Sequence, residues 1–227
     1  MANESYNNSW WGNGVCDNLI SWGIDYFTKA GCEPEFTGMQ MEWTVGEEDR
    51  EIILQGQTGA GANYDFDVDW GDSSSDTGLT TDTESHTYAS EGTYVVKITG
   101  QFAGLCMVNS GAENRGKLTK FIQWGTDTEI NGVYGIFTNC INLEYTATDA
   151  PDISTLTAYH GAIFTHAFNG CSTVTTIDLS NWTDTGSITS FQTSFYGCTS
   201  LTTLNLNNWD TSNVTTMYQA FRLVGSG

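Results

Sequence analysis

Residues Leu201 to Phe221 read "LTTLNLNNWDTSNVTTMYQAF", and their large apolar side chains keep neither helical spacing nor strict strand alternation. The phrase recurs. Phe168, Cys171, Val174, Ile177, Leu179 and Trp182 return as Phe195, Cys198, Leu201, Leu204, Leu206 and Trp209, each 27 residues on. After Trp209 the offset falls to 26, because "TDTGSIT" is one residue longer than "DTSNVT", so Phe195 returns as Phe221. Phe137, Cys140 and Leu143 form a fainter copy 31 residues before Phe168, Cys171 and Val174, and "LTKFIQW" from Leu118 to Trp124 starts like an earlier one. Self-similarity at such periods marks a solenoid, in which each coil buries its apolar side only against its neighbours.

Within each copy "LTTLNL" or "VTTIDL" fits L-x-x-L-x-L, a short strand followed by a return over turns. Stacking then predicts columns: Phe168, Phe195 and Phe221; Cys171 and Cys198; Leu179 and Leu206; Trp182 and Trp209. Phe191 and Phe195 stand four apart in "SFQTSFYGC", which predicts a short helical return turn ending at Gly197, as at Gly170 in "IFTHAFNGC". These residues resemble the BspA-like bacterial surface repeats, a leucine-rich type with "NWDTSNV" and a following "MF"-like pair. Copies 168–194 and 195–221 match clearly, and 118–167 loosely. The resemblance implies an extracellular or virion-displayed binding scaffold, not an enzyme.

The middle of the chain has a different texture. "MEWTV", "EIILQGQ", "YDFDVDWGD" and "GTYVVKITGQF" alternate like strands between Gly, Asp and Ser clusters, the mark of an all-β sandwich. Phe66, Val68 and Trp70 are expected inside, with Asp65, Asp67 and Asp69 in water. Trp70, Gly71, Asp72, His86, Tyr88, Gly92, Tyr94 and Val96 resemble the W-G-D-G and H-x-Y-x-x-x-G-x-Y-x-V-x-V signature of polycystic-kidney-disease (PKD) immunoglobulin-like domains. Ser73 replaces the second Gly and Ile98 the last Val. That resemblance implies a spacer or adhesive unit and leaves its ligand open.

The expected architecture is therefore mainly β: residues 1–37 an irregular, aromatic, Gly- and Asn-rich arm; 38–103 a PKD-like sandwich; 104–227 a BspA-like leucine-rich-repeat solenoid. In the arm Trp10, Trp11, Trp22, Tyr26 and Phe27 have little chain around them to cover them. They are read as an anchor on a larger assembly or sister subunit, with packing on the sandwich edge as the alternative. The open last coil, ending in "FRLVGSG" without a polar cap, is expected to be covered by another subunit, by a symmetry mate or by further chain.

With 7 basic against 27 acidic residues the net charge is −20, which excludes nucleic acid and anionic membranes as natural partners and favours cationic or mixed-charge ones. No stretch is long and apolar enough for a membrane span, and "MANESYNNSWWGNGVCDNL" lacks a leader's basic and apolar regions. These features lead to an expected virion component, such as a capsid decoration protein, head fibre or tail fibre, on the outer particle surface. The alternative is a secreted, cell-surface adhesin. Expected partners are capsid or tail subunits or a homo-oligomer, and a host-surface glycan.

Six cysteines contain no C-x-x-C or zinc spacing. Cys140, Cys171 and Cys198 read as buried thiols in one column, Cys16 and Cys32 as a staple if the surroundings oxidise, and Cys106 stays unassigned. Asp65, Asp67, Asp69 and Asp76 copy positions 1, 3, 5 and 12 of a calcium loop, but Trp70 stands where that loop needs Gly, so a solvated strand face is expected, with Asp72 capping the next turn. No metal, cofactor or catalytic group is expected: His86 reads as packed, and His160 and His166 flank a repeat turn. Asn-x-Ser/Thr sites at Asn3, Asn7, Asn181 and Asn213 carry no conclusion.

Overall fold

The computed structural model describes residues 35–58, 62–130, 132–153 and 164–227; the expected anchor residues Trp10, Trp11, Trp22, Tyr26 and Phe27, the pair Cys16 and Cys32, and His160 lie outside them. Residues Thr37–Gly227 form one compact unit that is mainly β.

Its largest element is a seven-stranded sheet in the order β4-β3-β6-β1-β7-β9, with β8 pairing β6. Here β1 is Met39–Val45, β3 Tyr64–Asp69, β4 Ser75–Leu79, β6 Gly92–Phe102, β7 Leu118–Gln123, β8 Thr128–Glu129 and β9 Glu144–Tyr145. Alternation decides which face is dry. Met39, Met41, Trp43 and Val45 of β1, Phe66 and Val68 of β3, and Val96 and Ile98 of β6 are all buried, while Asp65, Asp67 and Asp69 are exposed. A two-stranded antiparallel sheet of β2 (Glu51–Gln55) and β5 (Thr83–Thr87) turns Ile52 and Leu54 into the same core, an arrangement consistent with a β-sandwich.

The sheet does not stop at residue 103. β7 pairs antiparallel with β1 on one side and parallel with β9 on the other. The strand expected to open the repeats therefore also belongs to the seven-stranded sheet, and apolar burial runs without a break from Met39 to Ala220. Between them the only α-helix of the described residues, α1 (Ala112–Lys117), is short. Its Asn114 amide both accepts the Ile53 N–H and donates to the Ile53 carbonyl, at 2.9 Å each, so a side chain substitutes for a strand neighbour.

The repeats build parallel strands β10 (Thr176–Asp178) and β11 (Thr203–Asn205), paired with Ile177 opposite Leu204. The return segments are not helical, contrary to the spacing of Phe191 and Phe195. Left-handed backbone recurs every fourth residue, at Gly135 and Asn139, His166 and Gly170, Thr193 and Gly197, and Gln219 and Leu223, with φ between 51° and 75°. A residue with such φ ends an α-helix. What forms is a ribbon of β-turns overlapping every two residues: Ala167 N–H to Phe164 O at 3.3 Å, Asn169 to His166 at 3.2 Å and Cys171 to Phe168 at 3.2 Å.

The alternate N–H groups point along the stack. Gly135, Phe137 and Asn139 donate to Thr165, Ala167 and Asn169; His166, Phe168 and Gly170 to Gln192, Ser194 and Tyr196; Phe191, Thr193, Phe195 and Gly197 to Thr216, Tyr218, Ala220 and Arg222. Turn and ladder thus share the backbone donors between them. Two turns make a four-residue unit, which is why aromatic residues four apart face one core without a helix.

Candidate binding surface

The columns expected from the sequence lie as follows. Phe168 and Phe195 stack with centroids 5.8 Å apart and rings 11° from parallel, and Phe195 and Phe221 at 5.6 Å and 8°. Trp182 and Trp209 stack at 5.7 Å, and the Trp209 indole N–H reaches the Leu179 carbonyl at 2.7 Å. Leu179 is fully buried, whereas Leu206 is partly open beside the last strand. Cys140, Cys171 and Cys198 are buried free thiols, as is Cys106. The Cys171 and Cys198 sulfhydryls donate to the carbonyls of Phe137 and Phe168 one winding back, at 3.0 and 3.1 Å, and burial pushes the Cys198 thiol up to about 12. Such thiols pack as small apolar groups and stay protonated.

With these columns turned inward, the opposite face of β10 and β11 shows hydroxyl, amide and carboxylate groups. Thr176 stands beside Thr203 and Asp178 beside Asn205. The rows are tied sideways: the Thr202 hydroxyl donates to Thr175 O at 3.0 Å, and the Thr215 hydroxyl to Thr189 O at 3.1 Å. Asn181 and Asn213, which begin two of the Asn-x-Ser/Thr sites, give their amides to Thr148 O at 2.5 Å and Gly186 O at 2.8 Å.

The two clear windings repeat one turn at equivalent positions, where Asp178 accepts the Ser180 N–H at 3.0 Å and Asn205 that of Asn207 at 3.1 Å, and Asp210 makes a like turn five residues after Asn205, accepting the Ser212 N–H at 2.9 Å. Those bonds hold the carboxyls of Asp178 and Asp210 below the ordinary carboxylate value. Between Lys120 and Arg222 the sequence has no Lys or Arg, so this face is anionic and rich in fixed hydrogen-bonding groups. Two depressions mark it. One of about 320 Å³ lies between residues 142–145 and 173–176, where β9 and β10 are not paired. Another of about 410 Å³ is lined by Asp184, Thr185, Ser187, Asn208 and Asp210.

Around β3, β5 and β6, the W-G-D and H-x-Y residues meet in one stack. Trp70 lies on His86 at 4.8 Å and 9°, His86 meets Tyr88 edge-on at 4.6 Å, and Tyr88 stacks on Tyr94 at 3.8 Å. The Tyr88 hydroxyl donates to Trp70 O at 2.9 Å. Gly71, at φ +83°, passes Val95 so closely that a Cβ would sit 2.6 Å from its carbonyl oxygen, which explains the glycine after Trp70. Asp72 caps the turn through the Ser74 N–H at 3.0 Å and pairs with His86 at 2.9 Å; the Ser74 hydroxyl, with His86 adding, holds its carboxyl down at about 2.

The calcium-loop spacing dissolves into other work. Asp67 accepts the Gly78 N–H at 2.8 Å, Asp69 that of Gly71 at 2.9 Å, and Asp76 the Trp70 indole N–H at 2.8 Å. One carboxylate had no sequence signal: Asp149 accepts Trp124 N–H at 3.0 Å and Gly125 N–H at 2.7 Å, clamping the chain as it leaves β7.

His166 sits in left-handed backbone, edge-on to Tyr134 at 5.5 Å, with Nδ1 hydrogen-bonded to the Thr193 hydroxyl of the next winding. Burial lowers its proton affinity below the ordinary value of 6.5. A histidine whose folded value is depressed stabilises the fold fully above the unfolded value and loses that contribution as pH falls below it. Thermal melts between about pH 7.5 and 5.0 are expected to fall more steeply for the wild-type chain than for His166→Asn, which tolerates this backbone. Parallel slopes would remove His166 as the cause.

A family model described as "Mycoplasma protein of unknown function, DUF285" matches residues 162–225, the two clear windings and the start of a third. No curated protein and no solved structure matches the chain. The match hints at a BspA-like surface repeat protein. Among the described residues no helix is long and apolar enough to cross a membrane.

Proposed function

We propose that the chain is a non-enzymatic structural and adhesive protein displayed on a surface. In this reading a PKD-like immunoglobulin-like sandwich carries a short leucine-rich-repeat solenoid, and the outer face of β10 and β11 meets the partner. The observation that carries it is the division of each winding: Phe, Cys and Trp columns inside, and rows of Thr, Asn and Asp held in register outside. Fixed rows of small polar groups suit wet contacts with a host-surface glycan or a cationic protein. The DUF285 match supports the cell-surface adhesin.

A virion component, as capsid decoration protein, head fibre or tail fibre, is the second reading. Its support is the aromatic segment 1–37, where Trp10, Trp11, Trp22, Tyr26 and Phe27 suit an anchor on capsid or tail subunits. Gold-labelled antibody against the chain, applied to intact cells and to purified particles of its source, tests both. Labelling of the cell envelope is expected; labelling of particles alone selects the virion reading; signal only after cells are broken overturns surface display.

A further inference from the structure

The windings part at one place inside the stack. Two residues separate the buried pair Leu118 and Phe121, and two separate Val174 and Ile177, but Glu144 alone stands between Leu143 and Tyr145. β9 is thus one residue short of both neighbours; it pairs with β7, Lys120 opposite Glu144 and Phe121 opposite Tyr145, but not with β10. On the ribbon side the same two windings stay laddered, Phe137 N–H to Ala167 O at 2.9 Å, so the strands separate locally and leave the depression of about 320 Å³. Strand alternation turns backbone groups into it. Thr146 N–H goes to Phe121 O at 2.9 Å, so the N–H and carbonyl of Tyr145 face away from β7. Thr175 O receives Thr203 N–H at 3.1 Å and Leu179 N–H goes to Asn205 O at 2.9 Å, so those of Thr176 face away from β11.

The geometry points to this cleft as the seat of one neutral saccharide ring of a glycan. Its rim carries donors and acceptors that are already held in place. The Asn142 amide N–H is bound to Gly116 O at 2.7 Å, which leaves its carbonyl oxygen as an acceptor, and the Thr173 hydroxyl donates to Ile141 O at 2.7 Å, which leaves its oxygen to receive an O–H. Thr176 adds a hydroxyl beside its backbone pair. Leu143 and Val174, both buried, give the floor the apolar character that the C–H face of a sugar matches. The volume lies at the small end of ligand pockets, which suits a single ring. Charged ligands fit less well: Glu144 is paired with Lys120 at 3.1 Å, so the rim calls for no cation, and a chain of net charge −20 repels an anion. An extended peptide entering between β9 and β10 would aim alternate side chains at a core that Leu143, Tyr145 and Val174 already fill. The inference rests on the reading of the outer strand face as adhesive and names the point on it where a glycan sits.

Amide chemical shifts of the full chain test this, with glucose, galactose, mannose, N-acetylglucosamine and N-acetylgalactosamine as the probes. At least one sugar at millimolar concentration is expected to move the amides of Tyr145 and Thr176 while those of Asp210 and Ser212 stay in place. Thr176→Tyr fills the cleft from an exposed strand position that favours Tyr, and it is expected to weaken the response by about tenfold or more. Thr203→Tyr, in the next row and outside the cleft, is expected to leave the response unchanged. Shifts confined to the depression at Asp184, Asn208 and Asp210 would put glycan binding there, overturning the cleft while sparing the adhesive reading. A response to trilysine and to none of the sugars would make the cleft a cation site and overturn the inference. Silence with all five sugars overturns it as well, whereas the antibody labelling decides surface display independently.

Discussion

Phe195→Ala is expected to lower the melting temperature by on the order of 10 °C, the combined result of about 3–5 kcal/mol for deleting a buried aromatic and the size of the chain. Phe195 is fully buried, lies between Phe168 and Phe221 at 5.8 and 5.6 Å, and touches Phe164 at 5.8 Å from the side. Truncation leaves a cavity in the middle of a column, where neither neighbouring winding can collapse without stretching the Phe168 and Phe195 N–H bonds, 2.8 and 3.0 Å long. Phe221→Ala serves as the control: that ring is 47% exposed, so its loss is expected to cost less than half as much. Equal effects at the two positions would contradict the packing described.

Trp124→Ala is expected to cost a similar about 3–5 kcal/mol and to do so in one transition. Trp124 follows β7, packs on Phe121 at 4.6 Å and Trp182 at 5.3 Å, and donates its indole N–H to the Tyr145 hydroxyl at 3.0 Å. It therefore touches the seven-stranded sheet and the windings together. Far- and near-ultraviolet circular dichroism of the variant are expected to shift as one curve. Separate transitions, with only one displaced, would show that sheet and windings fold apart despite their shared strand.

Much of this could be read from the chain because burial imposes periodicity. Asp65 to Trp70 alternate in sequence and in solvent contact, and the 27-residue offset between Phe168 and Phe195 returns as a ring stack. What could not be read is where period alone is ambiguous. Phe191 and Phe195 four apart fit a helix as well as two overlapping β-turns, and the difference lies in Thr193 at φ 51°, a β-branched residue that by itself disfavours that region. The ladder to the next winding outweighs its preference.

The boundary at 103/104 was placed by motif, whereas β7 answers to two partners, antiparallel β1 and parallel β9, that a linear reading cannot weigh together. Asp149 and Asn114 were silent because their partners are backbone groups 24 and 61 residues away, and no local pattern encodes such a bond.

The stack itself is most directly tested by nuclear Overhauser contacts between aromatic rings in the folded chain. Contacts from Phe168 to Phe195 and from Phe195 to Phe221, with none from Phe168 to Phe221, are expected from centroid separations of 5.8 and 5.6 Å along one column. Three rings without mutual contacts would contradict the winding arrangement, and with it the polar outer face on which the proposed binding depends.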